Sequence, residues 1–416
     1  MGKQGELSRL PLEYWLRVLG DFLTGFGRSM LIPFMLIYLK EQGGFPTWVA
    51  TVLAAVPQFF QLFSTSWGGV LADFYGRKPV MLLAMLGSGL VLILMASANY
   101  VVVYAGYVVF LIVSNFYRPA AFAMVTDVVA VELQRDAFAI LRTVANLGFV
   151  LGPLVGSLVF FTHRSLAVGG TALAYVLAAF TVFFMRETAV PSRGDHQVRP
   201  GSPKASLFSR LQNPFQSYYL LRRDVLLRWA VITGVFFLMV QLQMFTSLTV
   251  VVNDAFRDNG RTLSYLLMIN TAGVVIGQYF ITSMTRKLSF YFLMGLAILV
   301  GVLGWGMLLL PLGPVRYYLL LALATVAEML MAAGYTPYIA ALAREGEVAQ
   351  YMSFTQTSNI MGQMIGPTFG AVGYDLAGQT GFVAVIWVLL ALTFASLQNL
   401  RRQARHISAF PTSGKQ

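Results

Sequence analysis

Glu328 is the residue of this chain best placed to do chemistry. It stands in Ala-Thr-Val-Ala-Glu-Met-Leu-Met, midway along an apolar run at 316–343, with no other charge within ten residues. A charged group at the centre of a bilayer costs roughly 2.5–3.5 kcal/mol on insertion scales, so a carboxyl kept there is a functional candidate. Desolvation favours the neutral form of a carboxyl group, and a nearby cation or water favours the ionised form. A carboxyl that meets both environments in turn can carry a proton between them. The competing reading is a carboxylate neutralised by an arginine of another helix, or a permanently protonated packing residue. Asp21 and Arg28 stand seven residues apart in the run 14–39, nearly on one helical face. Arg142 lies in the inner part of 137–162, and Arg118 lies within Asn115-Phe-Tyr-Arg118-Pro119. Asp127 follows at the end of 101–126. Two deep acids therefore face three arginines. Arg28 and Arg142 either pair with Asp21 and Glu328 or receive an anionic or zwitterionic substrate. Arg118 and Asp127 are equally consistent with a network at the inner membrane face.

The amides offer softer chemistry. Gln58, Gln61, Gln241, Gln243, Gln356, Asn115, Asn146 and Asn359 are candidates to line a polar path, and fewer than half of them are expected to do so. Abundant Phe and Met suit an adaptable apolar pocket. Other chemistries are disfavoured. There is no cysteine, so thiol, disulfide and Cys-based metal sites are excluded. The three histidines, His163, His196 and His406, fall in predicted loops or the tail, so no metal site and no cofactor is expected. A phosphate-binding glycine loop is also missing from the sequence, which leaves ATP-driven transport without an engine in this chain.

What must position these residues is a membrane. The composition is 57% hydrophobic and 11% charged, against about 25% charged for soluble domains. A helix crosses the bilayer with about 20 apolar residues, and roughly twelve such stretches fit: 14–39, 47–72, 80–97, 101–126, 137–162, 166–186, 228–253, 263–283, 289–310, 316–343, 351–374 and 379–399. The runs are continuously apolar rather than alternating, so they are read as helices rather than barrel strands. The first run is expected to be retained rather than cleaved. The net charge of +12 would suggest nucleic acid on a soluble protein. Here the bases cluster between alternate runs and at both ends. Most fall on one side, with Lys40, Arg164, Arg257, Arg261 and Arg316 on the other. This is the positive-inside asymmetry. It places both termini in the cytoplasm of a multi-pass cell-membrane protein, with lipid rather than nucleic acid as its surroundings.

Residues 187–227 form the one long polar segment, with Pro191, Pro200 and Pro203 among many bases. The expected organisation is an N-terminal six-helix bundle at 1–186, a cytoplasmic linker at 187–227, a C-terminal six-helix bundle at 228–399 and a cytoplasmic tail at 400–416. An internal repeat supports the division. Gly148-x-x-x-Gly152-Pro153-x-x-Gly156 recurs as Gly362-x-x-x-Gly366-Pro367-x-x-Gly370. Arg77-Lys78 recurs as Arg286-Lys287, although Asp73 then aligns with Thr282. Pro119 and Pro337 form a third pair.

Residues 69–78, Gly-Val-Leu-Ala-Asp-Phe-Tyr-Gly-Arg-Lys, lie between two apolar runs. An acid, a glycine turn and two bases make a short charged hairpin. This hairpin resembles motif A of the major facilitator superfamily, departing from it at Phe74, where a base is usual. Gly148–Gly156 resembles that superfamily's motif C, which marks its antiporters, with Ser157 replacing the final glycine. On residues alone, these glycines let another helix approach closely. The R-x-x-x-G pattern of motif B is not matched, because Arg118 is followed by Pro119-Ala120-Ala121. The resemblance covers the whole chain and looks closest to the twelve-helix drug:proton antiporters. It implies two pseudo-symmetric six-helix bundles. Gly69, Asp73, Gly76, Arg77 and Lys78 would be parts of a conformational latch, and Glu328, Asp21, Arg28 and Arg142 would serve proton coupling or substrate binding. The implied function is secondary export of amphipathic small molecules against protons, by a monomer. The alternatives are a facilitator for a metabolite, sugar or lipid and, more remotely, a polytopic membrane enzyme. The latter would need a His, Asp or Cys cluster at one membrane face.

Overall fold

Long apolar runs bury their own backbone polarity only as helices, and helices are what they form. The computed structural model describes residues 10–97, 99–160, 162–188, 219–258, 260–343 and 348–409, and among them no strand occurs. In chain order the helices are α1 (Leu12–Gly43), α2 (Thr47–Tyr75), α3 (Arg77–Leu94), α4 (Tyr100–Ser114), α5 (Tyr117–Val128), α6 (Val131–Val159) and α7 (Arg164–Phe184). They continue as α8 (Tyr219–Arg223), α9 (Val225–Gln241), α10 (Ser247–Phe256), α11 (Arg261–Met284), α12 (Phe290–Gly306), α13 (Val315–Leu342) and α14 (Val348–Ala409). Short polar residues start several of them. Asn99 accepts from the Val101 and Val102 amides at α4, Asp224 accepts from Leu227 at α9, and Ser289 accepts from Phe292 at α12.

Ten helical segments among the described residues are long and apolar enough to cross a bilayer, against the expected twelve. One of the ten, Phe354–His406, is broken at Ala377 and Gly378, where Gly378 takes φ 59°. This break falls between the expected runs 351–374 and 379–399. Helix α2, at the place of the expected second run, is 29 residues long and stands outside the ten. Two other expected runs are discontinuous. The run 101–126 breaks at Asn115–Phe116 into α4 and α5, and the run 228–253 breaks into α9, a 3-10 turn at Leu242–Phe245 and α10. Irregular backbone at membrane depth is tolerated only inside protein or beside water. Both breaks carry polar side chains discussed below.

The chain forms two compact units. Unit 1 comprises residues 1–43, 56–214 and 258–264, and unit 2 comprises 44–55, 215–257 and 265–416. Most of the expected linker, 189–218, lies outside the described residues, and α9 begins three residues before the expected bundle start at 228. The expected tail from 400 is helical through Ala409. Within unit 1 the core is built on Leu31, Phe34, Met35, Phe110 and Tyr175. Within unit 2 it is built on Phe237, Trp305, Tyr351, Phe354 and Phe382, with the Trp305 and Phe382 rings edge to face at 5.6 Å. Leu83 (70% exposed) and Tyr279 (76% exposed) are among many large apolar side chains on the outside. An apolar exterior over an apolar core suits a chain whose solvent is lipid.

Candidate functional site

The carboxylate of Glu328 lies within unit 2, where three helices and a helix break converge. Glu328 is half-buried on α13. Gln241, the last residue of α9, donates from Nε2 to Glu328 Oε2 at 3.0 Å. Asn270, on α11, donates from Nδ2 to the same oxygen at 3.2 Å and to Thr325 Oγ1 at 2.9 Å. Thr325 stands one turn before Glu328 and donates in turn to the Leu321 carbonyl. Gln241 Nε2 also reaches Met244 Sδ at 3.0 Å, inside the 3-10 turn. The chemistry follows from the residue types. Amides and hydroxyls do not ionise near neutral pH, so Glu328 is the one group of this cluster that can take up or release a proton. Two N–H donors satisfy one oxygen of its ionised form, and a proton arriving on that oxygen must displace a donor.

Unit 1 holds a second charged cluster. Arg17 Nη1 forms an ion pair with Asp21, one turn along α1, and donates to the Tyr117 hydroxyl at 3.0 Å. Its guanidinium also lies over the Tyr117 ring, 4.8 Å from the centroid. Arg17 is only 7% exposed. Pairing of Asp21 with Arg28 was one expectation from their seven-residue spacing. The structure gives Asp21 to Arg17 instead, because a four-residue spacing sets the two residues side by side on one helical face, where the long arginine reaches the short carboxylate. Arg28 is half-buried, and Arg118 and Arg142 are exposed. Arg118 makes no hydrogen bond to Asp127 among the described residues, and the partners of Asp127 lie on the hairpin and beyond α7.

Asp127 belongs to the hairpin. Arg77 Nε approaches Asp127 Oδ2 at 3.5 Å, and Thr188 Oγ1 donates to the same atom at 3.2 Å. Glu187 then closes the network. Its Oε1 accepts from the Arg77 amide at 2.9 Å and its Oε2 from the Lys78 amide at 3.1 Å, while Lys78 Nζ donates to the Phe183 carbonyl at 2.8 Å. Gly76, with φ 101° and ψ 160°, makes the turn that aims the first amides of α3 at Glu187. Gly69 lies two turns earlier in α2. Asp73 stands near the end of α2, and its side chain lies outside the described residues. No feature of Glu187 in the sequence distinguished it from the charges around it.

The repeated glycines pack helices. In unit 1, a Cβ on Gly152 would lie 2.5 Å from the Phe26 carbonyl oxygen, and one on Gly148 would lie 2.7 Å from the Phe26 nitrogen. Gly156 meets Met30 in the same way, and Ser29 Oγ donates to the Gly148 carbonyl at 3.1 Å. In unit 2, a Cβ on Gly366 would lie 2.7 Å from both the Cα and the oxygen of Met239. Gln243 Nε2 donates to the Gly366 carbonyl at 2.6 Å, and Ser247 donates to the Pro367 carbonyl at 2.8 Å. Prolines 153 and 367 cannot donate, and the polar side chains of α1, the 3-10 turn and α10 meet carbonyls nearby. The repeat in sequence is thus a repeat in packing, α1 on α6 and α9 on α14.

The amides divide accordingly. Gln241 serves Glu328, whereas Gln243 is fully buried as helix glue. Asn359 accepts from Gln363 at 2.6 Å, and Gln356 is exposed. Asn115, at the break between α4 and α5, is buried, as is Gln61. Gln58 and Asn146 are half-buried, and the Oε1 of Gln58 has no hydrogen-bond partner among the described residues. An apolar cavity of about 530 Å³ in unit 2, among Val235, Met239, Ile365, Phe369, Val385 and Val388, is lined by none of these groups.

Comparison with known proteins follows this geometry. The model of the Major Facilitator Superfamily matches residues 18–367. A Na(+), Li(+), K(+)/H(+) antiporter of Planococcus maritimus is 24% identical over 85% of this chain and 87% of its own length. The multi-drug resistance efflux pump PmrA of Streptococcus pneumoniae is 24% identical over 92% of this chain and 93% of its own. Among solved structures, a peptide transporter POT in complex with sulfate superposes with a TM-score of 0.76 at 16% identity, over 98% of this chain and 99% of that one.

Proposed function

This chain belongs to the Major Facilitator Superfamily, and from that premise we propose that it is a proton-coupled antiporter exporting amphipathic small molecules by alternating access. The observation that carries the proposal is Glu328, an intramembrane carboxyl held by the Gln241 and Asn270 amides, which cannot themselves exchange protons. The names of the relatives, a cation/H+ antiporter and a multi-drug efflux pump, support coupling to protons and a small-molecule cargo. In this reading Glu328 binds a proton in one open state and releases it in the other, and Asp21 is the second candidate for that role. Arg28 and Arg142 contact substrate. The hairpin of Asp73, Gly76, Arg77 and Lys78, joined by Asp127, is a latch that biases the balance of the two states. The protein works as a monomer in the cell membrane with both termini and residues 187–227 in the cytoplasm.

A second reading, exchange of a monovalent cation for protons, rests on the name of the Planococcus relative. One experiment separates the two. Purified protein is reconstituted into vesicles with a pH-sensitive dye, and proton release is followed on adding Na+, Li+, K+ or a panel of lipophilic compounds. Proton movement driven by the organic compounds alone supports drug antiport. Movement driven by the ions alone supports cation exchange, and movement with neither overturns proton coupling.

A further inference from the structure

Unit 2 gathers its exposed bases at one end. Its chain crosses from the start of α9 to the end of α10, returns along α11, and crosses and returns again along α12 and α13. Helix α14 crosses and then doubles back at the Ala377–Gly378 break, where a Cβ on Gly373 would lie 2.5 Å from the Gly381 carbonyl oxygen. The start of α9 and the ends of α11 and α14 therefore share one end. Arg222, Arg223, Arg286 and Lys287 are exposed there. Among the described residues of unit 2, the one carboxylate at this end is Asp224, which accepts from the Leu227 amide at 3.0 Å and the Tyr351 hydroxyl at 2.7 Å. At the opposite end Arg257 and Arg316 are matched by Asp254 and Asp375. The densest basic stretch is the end of α14, which stays helical past the last apolar run and through Ala409. Arg401, Arg402 and Arg405 are exposed, with His406 beside them, whereas Leu397 and Leu400 are buried and Ala404 is half-buried. At about 100° per residue the bases share one side of the helix and the leucines the other. Packing of the leucines thus holds the basic stripe in place. From Arg401 to His406 the helix rises about 7.5 Å, and the polar layer on each face of a bilayer is about 5–7 Å deep. The stripe spans the depth at which lipid phosphates lie, directly beyond the last apolar run.

We propose that the end of α14 is a binding surface for anionic phospholipid, with Arg401, Arg402 and Arg405 meeting the headgroup phosphate. Bases just beyond a membrane helix attract anionic lipid by a charge interaction equivalent to about fivefold in affinity for each residue. The bilayer is the source of the ligand because the stripe is fixed at headgroup depth and is open on the side away from the buried leucines. A lipid held there fastens the last helix of unit 2 to the leaflet. The surface is separate from the Glu328 cluster and goes beyond the transport reading, whatever compound is carried.

The test reads which lipid occupies this one place. The chain has no cysteine, so Ala395→Cys, at an exposed position two turns before Arg402 on the same side of α14, takes a single bimane label. Full-length protein is reconstituted in phosphatidylcholine with a small fraction of either phosphatidylglycerol or phosphatidylcholine carrying a nitroxide near the headgroup end of one acyl chain. Quenching of the bimane gives the relative binding constant of the two lipids beside the label. Phosphatidylglycerol should be favoured tenfold or more. Adding Arg401→Gln and Arg402→Gln should remove that preference, and Arg401→Lys with Arg402→Lys should keep it. Arg286→Gln with Lys287→Gln, which removes the same charge from the same end, should leave it within twofold. Quenching by the phosphatidylcholine probe should be the same in all of these, which reports that the variants are folded. Should the double Gln variant not survive purification, Arg401→Gln alone, expected to lose about fivefold, decides. Equal quenching by the two lipids overturns the proposal, as does a preference that survives the loss of Arg401 and Arg402. An equal loss in the Arg286 and Lys287 variant would assign the effect to the net charge of that end and also overturn it. Millimolar glycerol phosphate is the last arm. If it abolishes the preference, the surface serves a soluble phosphate compound, and the lipid assignment falls.

Discussion

Glu187 caps α3 with its carboxylate, accepting the Arg77 amide on Oε1 at 2.9 Å and the Lys78 amide on Oε2 at 3.1 Å from a position 110 residues away. The first amides of a helix have no partner inside it, and an anion there also meets the positive end of the helix dipole. Gly76 makes the geometry available. Its φ of 101° and ψ of 160° fall where only glycine is comfortable, and a Cβ there would lie 2.6 Å from Glu187 Oε2.

Two substitutions test this cap. Glu187→Ala should free both amides and speed hydrogen exchange at Arg77 and Lys78, with a loss of about 1 kcal/mol in stability. Gly76→Ala should do the same with a larger penalty, about 1–3 kcal/mol, because strain is added to the lost cap. Protection at those two amides that survives Glu187→Ala would show that the cap does not hold the hairpin.

The glycine repeat predicts paired outcomes. Gly152→Val and Gly366→Val insert side chains where α1 and α9 already touch the backbone of α6 and α14. Overpacking of this kind typically costs about 1–3 kcal/mol. Thermal unfolding in detergent should show both variants destabilised to a similar degree, as copies of one packing device. A wild-type melting curve for either variant would mean that the close approach is not retained in the folded protein.

The Arg17–Asp21 pair is tested by removing one partner and then both. The side chains are 8% and 14% exposed. Breaking a buried pair by deleting one charge is expected to cost about 3–5 kcal/mol, whereas replacing both with apolar residues is often nearly neutral. Asp21→Asn should therefore destabilise the fold more than the double variant Arg17→Met/Asp21→Leu does. Additive losses would show that the two charges do not depend on each other. This also separates a structural Asp21 from a coupling one, since a coupling residue would leave the double variant stable but unable to drive uphill transport.

What was legible in the sequence depended on whether its cause was local. Glu328 stands out because an isolated charge in an apolar run is expensive wherever its partners lie. Those partners lie 87 and 58 positions away, and Asn270 carries no local sign of its role. The packing function of Gly148, Gly152 and Gly156 was readable because small residues at helical spacing have one use between helices. Arg17, four residues before Asp21, is a closer mate for it than Arg28, seven residues after, but both spacings fall on the same helical face. Glu187 sits among the charges at the edge of a polar segment, and its task exists only once α3 has folded toward it. The break after Ser114 has Pro119 four residues beyond Asn115, where the proline ring disfavours the helical Asn115 carbonyl, whereas the break after Gln241 carries no proline or glycine signal, so that run reads as a continuous helix.

The topology proposal has a direct assay because the chain has no cysteine of its own. Single cysteines at Ser202 and Ser408 should react with a membrane-impermeant reagent only after the cells are permeabilised. Labelling of either in intact cells would reverse the orientation drawn from the basic residues.

Glu328→Gln decides the coupling proposal. The variant is close to isosteric, and its amide oxygen can accept from Gln241 and Asn270 as Oε2 does now. The cluster should therefore keep its geometry while losing its only ionisable group. Alternating access driven by protons requires one group whose proton affinity differs between the two open states, and each pKa unit of difference makes about 1.36 kcal/mol available for coupling. With that group fixed in its neutral form, the transporter can still bind and reorient, but it cannot exchange a proton for substrate. In energised vesicles, Glu328→Gln should show no protonophore-sensitive accumulation and no dependence of flux on pH, while downhill flux and substrate binding persist. Loss of binding as well would assign Glu328 to the substrate rather than to the proton. Uphill, protonophore-sensitive transport by the variant would remove Glu328 from the coupling role and make Asp21 the next residue to replace.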